Sequence, residues 1–306
     1  MEKLSTMNAC YEGRIDKSGE SIFISAPAKI NLFLKITGKR TDGYHDIHSW
    51  FQTIDLNDHL EIRITSSSDI TIEVNKEDIP TGPDNLVYQA AEKIQRISDR
   101  DIGFDIKLYK QIPSGAGLGG GSSDAAAFIK AADKLLNLGL SRQIKSEIGL
   151  EIGSDIPFFF SRGQAEVTGK GENVKEIALP TDYRVGLVTP RFEIRASEAY
   201  RKFNLDLTDS LQDINLLCCH QIEDLIDVMS GLPNDLEKLL FESYPILGEI
   251  QKVLSKSGAD IVRLTGSGPT VYALFRREGL IAEQFLKLFE GGSWDLNIAG
   301  PVILPA

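Results

Sequence analysis

Pro113-Ser-Gly-Ala-Gly-Leu-Gly-Gly-Gly-Ser-Ser-Asp124 runs straight into the apolar series Ala125-Ala-Ala-Phe-Ile-Lys-Ala-Ala-Asp-Lys-Leu-Leu136. Five glycines fall in the seven positions from Gly115 to Gly121. Glycine has no Cβ to bar positive φ or to shield backbone amides, so such a loop lets main chain approach a ligand closely. The segment after it places Ala125, Phe128, Ile129, Ala132, Leu135 and Leu136 on one helical face, with Ser122 or Ser123 as the expected N-cap. A helix start offers unpaired N–H groups and the positive end of a dipole, which suits an anion, above all phosphate. The loop is no P-loop, because no Gly-Lys-Ser/Thr closes it. It also lacks the acidic residue and following strand that a dinucleotide fingerprint places at a set distance.

Upstream of the loop, Phe104–Lys110 alternates as a strand, and the residues from Asn85 to Ser98 carry helical spacing. Further back, Ala28–Thr37 reads as a strand with strict alternation. Ala28, Ile30, Leu32, Leu34 and Ile36 face one way, Lys29, Asn31, Phe33, Lys35 and Thr37 the other. Thr41-Asp42-Gly43 signals a turn, and strands are predicted over Trp50–Leu56, His59–Ser66 and Asp69–Val74. Downstream, helix is expected over Ser141–Ile148, then a glycine-punctuated β region through Val174. Past residue 180 the pattern restarts: strand Tyr183–Thr189, helices 196–203 and 221–229, a helical stretch from Asn234 to Lys256, strands 260–265 and 270–275, and helix 280–290. This is an α+β chain with a loosely ordered extension over 1–20, an N-terminal domain over 21–178 and a second domain over 179–306.

Bulk properties narrow the function. The chain has 306 residues, a net charge of −11 and 42% hydrophobic residues. That acidity excludes a nucleic-acid surface as the main business. Cys10, Cys218 and Cys219 offer neither a disulfide framework nor paired metal spacing, which suits a reducing cytoplasm. No apolar run is long enough to span a membrane, and the first residues resemble no export or transit signal.

Four other constellations carry chemistry, each beside a plainer reading. Lys29 and Asn31 share a strand face, as a solvated edge would also allow. Asp155, in Gly153-Ser-Asp-Ile-Pro157, is either a base or merely the cap of a helix with Pro157 in its first turn. Phe158, Phe159 and Phe160 would surround it with apolar rings, so a carboxylate there needs a cation beside it. Tyr44 and His45 could stack on a flat ligand and bond its edge, or form an ordinary turn. His45, Asp46 and His48 lack a third strong ligand at fixed spacing, so no metal site is assigned. Leu264-Thr-Gly-Ser-Gly-Pro-Thr270 is a hairpin connection or a second backbone wall facing phosphates.

Together these segments, in this order, resemble the small-molecule kinase family that includes galactokinase, homoserine kinase and mevalonate kinase. Its carriers are Ala26-Pro-Ala-Lys-Ile-Asn-Leu32, Thr37-Gly-Lys-Arg-Thr-Asp-Gly-Tyr-His45, Asp84-Asn-Leu86, the glycine loop, Gly153-Ser-Asp-Ile-Pro-Phe158 and Arg263-Leu-Thr-Gly-Ser-Gly268. The resemblance implies a left-handed βαβ N-terminal domain, a ferredoxin-like C-terminal domain and a site between them. It implies ATP as donor and, from Asp-Gly-Tyr-His, a cytidyl diphosphate acceptor carrying methylerythritol, in the non-mevalonate isoprenoid route. By position, Asp155 is implied as base and Lys29 as its cation, with Asn31 at the polyol phosphate end. Tyr44, His45 and Tyr200 are implied to hold cytosine, and Asn85 and Lys110 to contact the nucleotide. Pro113, Ser114, Gly115, Ala116, Gly117, Leu118, Gly119, Gly120, Gly121, Ser122 and Ser123 would wrap its phosphates.

Mg²⁺ would bridge those phosphates, with Ser123 or water as ligand and no dedicated carboxylate cage. The chain departs from the family at Ser114-Gly115-Ala116, and at Ala196, where a threonine is usual, with Arg195 before it and Ser197 after. A cytoplasmic monomer or homodimer is expected. Two rivals remain at this point: another kinase of the same group, and a nucleotide-binding protein without catalysis.

Overall fold

Apolar and β-branched side chains dominate Ser21–Lys39, and in the computed structural model they form one long strand. The structure describes residues 9–203, 219–276, 282–289 and 292–305. The first sheet is built from β1 (Arg14–Ile15), β2 (Ser21–Lys39), β3 (His45–Thr65), β4 (Ile70–Val74), β5 (Gly103–Tyr109), β6 (Gln164–Gly169) and β7 (Asn173–Glu176). Its order is β1-β2-β3-β5-β4, with β6 pairing β3 and β7. Helix α1 (Leu86–Ser98) crosses between the parallel pair β4 and β5. Helices α2 (Gly120–Leu136) and α3 (Arg142–Leu150) follow.

Two expectations change here. The alternation of β2 breaks at an irregularity between Asn31 and Phe33. Asn31 pairs with Phe51, and Phe33 with Trp50. Phe33 therefore joins Trp50 on the core side, and Leu34 moves to the face of Lys29 and Asn31. The strands expected over 50–56 and 59–66 are one strand, β3. Its register slips at Asp55–Leu56, between the pairs Ala28–Ile54 and Pro27–Asn57. The bend lets its first half pair with β6 and its second half with β5.

Residues 1–8 of the expected extension, and Cys218, lie outside the described residues. From Cys10 on, that extension is tied down. The Cys10 carbonyl accepts Ser25 N–H at 2.8 Å, and Arg14–Ile15 pairs with Phe23 and Ile22.

The second sheet holds β8 (Tyr183–Pro190), β9 (Ile261–Leu264), β10 (Val271–Arg276) and β11 (Trp294–Ala299), in the order β11-β8-β10-β9. That antiparallel 4-1-3-2 order, with helices in both crossovers, is ferredoxin-like. Between β8 and β9 lie α4 (Ala196–Lys202), α5 (Ile222–Ser230), α6 (Glu237–Ser243) and α7 (Pro245–Ser255). The single helical stretch expected from Asn234 to Lys256 is split at Tyr244, because Pro245 cannot continue the helix before it. Helix α8 (Ala282–Leu288) lies within the expected 280–290, whose residues 280, 281 and 290 lie outside the described residues. After β11 the chain returns to the first sheet: Val302 N–H donates to the Thr53 carbonyl at 2.9 Å.

Glu237, opening α6, accepts Leu264 N–H at 2.7 Å. Burial raises its carboxyl from 4.5 to about 7. Between those values the folded protein holds a proton that the unfolded chain has released, so this group's contribution to stability falls as pH rises through the window. Glu237→Gln keeps the acceptor and removes that slope. Thermal melts of variant and parent should converge near pH 4.5 and separate above pH 7, with the variant melting higher; parallel curves would contradict the burial account.

Candidate active site

The strand–loop–helix read from the sequence is β5, the glycine loop and α2, with one correction at the helix start. Helix α2 begins at Gly120, capped by Gly119 at φ 69° with no side-chain cap. Ser122 and Ser123 therefore sit inside the first turn. Backbone alone ends the helix here, leaving its first N–H groups open to a ligand.

The loop is the shared wall of two cavities. One, of about 330 Å³, is lined by Asn85, Lys110 and the run Pro113 to Ser122. The other, of about 930 Å³, takes Gly115, Gly117, Gly119 and Ser122 from the same loop, and adds Lys29, Asn31, Tyr44, His45, Asp155 and Tyr200. Ser123 lines neither. It is buried, its hydroxyl has no partner among the described residues, and it faces a small cavity beside Tyr11, Ser25 and Pro27. Of the two adjacent serines, it is Ser122 that lines the groove.

Lys29 and Asp155, far apart in sequence, converge at the larger cavity, with Nζ 3.5 Å from Oδ2. Lys29 is buried and also donates to Asn31 Oδ1 at 2.6 Å, while its ammonium lies 4.3 Å from the Phe51 ring centroid. Asp155 stands at the cap of the short 3₁₀ turn Ile156–Phe160, with Pro157 in its first turn, yet makes no cap bond. The plainer reading of Asp155 as a helix cap is thereby set aside. Its carboxylate, with 30% of its side-chain surface exposed, is open to the cavity. Phe158 and Phe159 are buried behind it.

Asn31 is engaged beyond Lys29. Its Nδ2 donates to Ser49 Oγ at 2.9 Å, and its backbone N–H to Thr265 Oγ1 at 3.0 Å. The turn that Thr265 opens is the connection the sequence allowed, and its Gly266 and Ser267 line the larger cavity. It connects β9 to β10, and it also packs on the glycine loop, where Thr270 N–H reaches the Ala116 carbonyl at 3.4 Å.

At the far end of the same cavity, Tyr44 is 55% exposed, with the Lys170 ammonium 5.1 Å from its ring centroid. His45 is buried and its Nδ1 has no partner among the described residues. Burial, and then the Lys39 charge, hold its pKa below the ordinary histidine value, so a neutral ring with one donor and one acceptor is favoured near pH 7. Tyr200 stacks on His45, with centroids 5.5 Å apart at 26°. The opposing aromatic expected from sequence thus lies against the imidazole, and Tyr44, with Lys170 over its ring, stands at the exposed rim. His48, the other half of the rejected metal pair, bonds Glu166 Oε1 at 2.8 Å.

The groove residues Asn85 and Lys110 carry their side chains inward. Asn85 caps α1, accepting Val87 N–H at 2.8 Å and donating to the Pro80 carbonyl at 2.7 Å. The Lys110 ammonium is held by two buried carboxylates, Asp58 and Asp124, the latter at 2.7 Å. Burial works to lower the Lys110 pKa, but those two acids raise it well above the ordinary value. Asp58 also accepts the N–H groups of Gln111 and Ile112 at 2.6 and 2.8 Å, so this trio anchors the loop where it begins and where its helix starts. No spacing rule reveals it, because Asp58 lies on a different strand.

Residues 85–163 match the pattern of the GHMP kinases N terminal domain, and residues 213–291 that of GHMP kinases C terminal. A 4-diphosphocytidyl-2-C-methyl-D-erythritol kinase of Citrifermentans bemidjiense is 34% identical over 88% of this chain and 95% of that protein. The chain belongs to the GHMP kinase family. The kinase of the same name from Bacillus subtilis is 36% identical over 85% of this chain and 90% of its own. A solved 4-(cytidine 5'-diphospho)-2C-methyl-D-erythritol kinase superposes with a TM-score of 0.74 at 30% identity, covering 91% of this chain and 99% of that one. Methanococcus jannaschii mevalonate kinase, at TM-score 0.71 and 19% identity over 94% of this chain and 99% of its own, shares the fold of this GHMP kinase.

Proposed function

We propose that this GHMP kinase transfers the γ-phosphoryl group of ATP to the 2-hydroxyl of 4-diphosphocytidyl-2-C-methyl-D-erythritol, a step of non-mevalonate isoprenoid synthesis. The observation that carries the reading is the glycine loop standing between two cavities, with the Lys29–Asp155 pair on the side away from the nucleotide groove. The names of relatives at 34 and 36% identity supply the acceptor.

Phosphoryl transfer asks chiefly for positioning and charge neutralisation. Backbone N–H groups of the loop and the start of α2 hold the β- and γ-phosphates. Mg²⁺ enters with ATP as part of the substrate. The described residues contain no cluster of three or more His, Cys, Asp or Glu to cage it, and Ser114 and Ser122 are the loop serines that line the groove. Asp155 takes the proton of the attacking hydroxyl as its oxygen bonds to phosphorus and the bond to ADP breaks. Lys29, 3.5 Å from Asp155, steadies the incoming negative charge. Tyr44 and His45 receive the cytosine, by stacking and by a hydrogen bond to its edge. The enzyme acts on small molecules; no helix among the described residues is long and apolar enough to cross a membrane.

ADP release measured with the cytidyl acceptor, and separately with mevalonate, homoserine and galactose, tests the assignment. Release with the cytidyl compound alone is expected. Release with another acceptor would move the protein to a different kinase of the group, and none at all would leave a non-catalytic nucleotide binder. Tyr44→Ala should raise KM for the cytidyl substrate about 5- to 150-fold, the equivalent of roughly 1–3 kcal/mol of base stacking, with ATP KM unchanged. A rise in ATP KM instead would mean the two pockets are assigned the wrong way round.

A further inference from the structure

The glycine loop and the catalytic pair are joined by a hydrogen-bonded chain that passes through the second domain. Thr265, just past β9, is fully buried. Its hydroxyl accepts the Asn31 backbone N–H at 3.0 Å and donates to the Gly117 carbonyl at 3.2 Å; Asn31 Oδ1 is 3.4 Å away. That same Oδ1 accepts from Lys29 Nζ at 2.6 Å, and Lys29 reaches Asp155 at 3.5 Å. Asn234 holds the turn from its other side, donating to the carbonyls of Leu264 and Gly266 at 3.0 and 2.8 Å. Gly117, at φ 75°, leaves no slack: a Cβ there would come within 2.2 Å of the Thr265 carbonyl.

We propose that Thr265 is a positioning residue for phosphoryl transfer, its hydroxyl tying the Gly117 carbonyl to Asn31 and so setting the Lys29 ammonium against Asp155. The proposal rests on the kinase reading above. A hydroxyl suits the position because it accepts and donates at once. Valine has the same shape and does neither, so Thr265→Val leaves Asn31 N–H and the Gly117 carbonyl buried without that partner. A seated glycine loop and a placed ammonium are then no longer coupled, and the loss falls on the reaction step more than on acceptor binding.

The test is steady-state kinetics with ATP and the cytidyl acceptor. Thr265→Val should lower kcat by about tenfold or more while acceptor KM stays within about twofold. Thr265→Ser, which restores the hydroxyl, should come back to within about threefold of the parent. In single turnovers on a Lys29→Met background, Thr265→Val should cost less than about a further twofold, because the chain is already broken at the ammonium. A valine variant with parental kcat, a serine variant as slow as valine, or multiplying losses on the Lys29→Met background would each overturn the proposal. If the valine variant melts below the assay temperature, Thr265→Ala replaces it with the same expectations. A parent enzyme inactive on the cytidyl acceptor would fail the kinase reading, whereas an active parent with an equally active valine variant fails this proposal alone.

Discussion

Asp155→Asn is expected to lower kcat by at least about 100-fold, the usual scale for removing a general base, with the KM values for ATP and acceptor within about twofold of the parent. The amide keeps the shape of the carboxylate and loses its negative charge and its capacity to take a proton. Because Asp155 makes no cap bond to the 3₁₀ turn it precedes, the exchange removes no helix cap. Its removal does leave the buried Lys29 ammonium without its anionic neighbour, though Asn31 Oδ1 still accepts from it. Melting temperatures close to the parent, together with a collapsed kcat, are therefore the expected pair of results. Unchanged turnover would take Asp155 out of the mechanism.

Gly117→Ala should abolish most ATP binding, raising its KM or lowering kcat/KM for ATP by about 100-fold or more. Two costs combine. The residue sits at φ 75°, which an L-residue occupies at roughly 1–2 kcal/mol. The new Cβ would also lie 2.2 Å from the Thr265 carbonyl, a backbone atom that cannot swing aside. The loop must therefore shift as a whole, and it forms a wall of both cavities. Gly139→Ala separates the two costs: at φ 65° it shares the backbone strain, but nothing lies within 4 Å of its Cβ. That control should melt slightly earlier and keep its kinetics. Titration calorimetry of ATP with both variants checks the pair, and a Gly117→Ala protein that binds ATP as the parent does would contradict the loop's assignment.

Much of this was readable in the sequence because it is local. The glycine loop ahead of α2, the Asn85 start of α1 and the restart near residue 180 each depend on neighbours in the chain. The bulge after Asn31 was not readable, since it arises from how β2 and β3 register against one another. The same limit hid the Asp58–Lys110–Asp124 trio and the role of Thr265, whose partners lie 14 to 234 residues away. Ser123 was misread for a different reason. One helical step separates it from Ser122, and a helix that starts at Gly120 instead of at the serines turns the Ser123 hydroxyl away from the groove. Tyr200 was expected across from Tyr44, and its place on His45 follows from how α4 packs.

A crystal structure of the enzyme with a non-hydrolysable ATP analogue and the cytidyl acceptor bound together tests the reaction centre most directly. The account predicts the acceptor's 2-hydroxyl oxygen within about 3 Å of an Asp155 carboxylate oxygen, in line with a γ-phosphate seated on the amides of the glycine loop. A hydroxyl pointing away from Asp155, or a nucleotide bound outside the groove lined by Pro113 to Ser122, would contradict it.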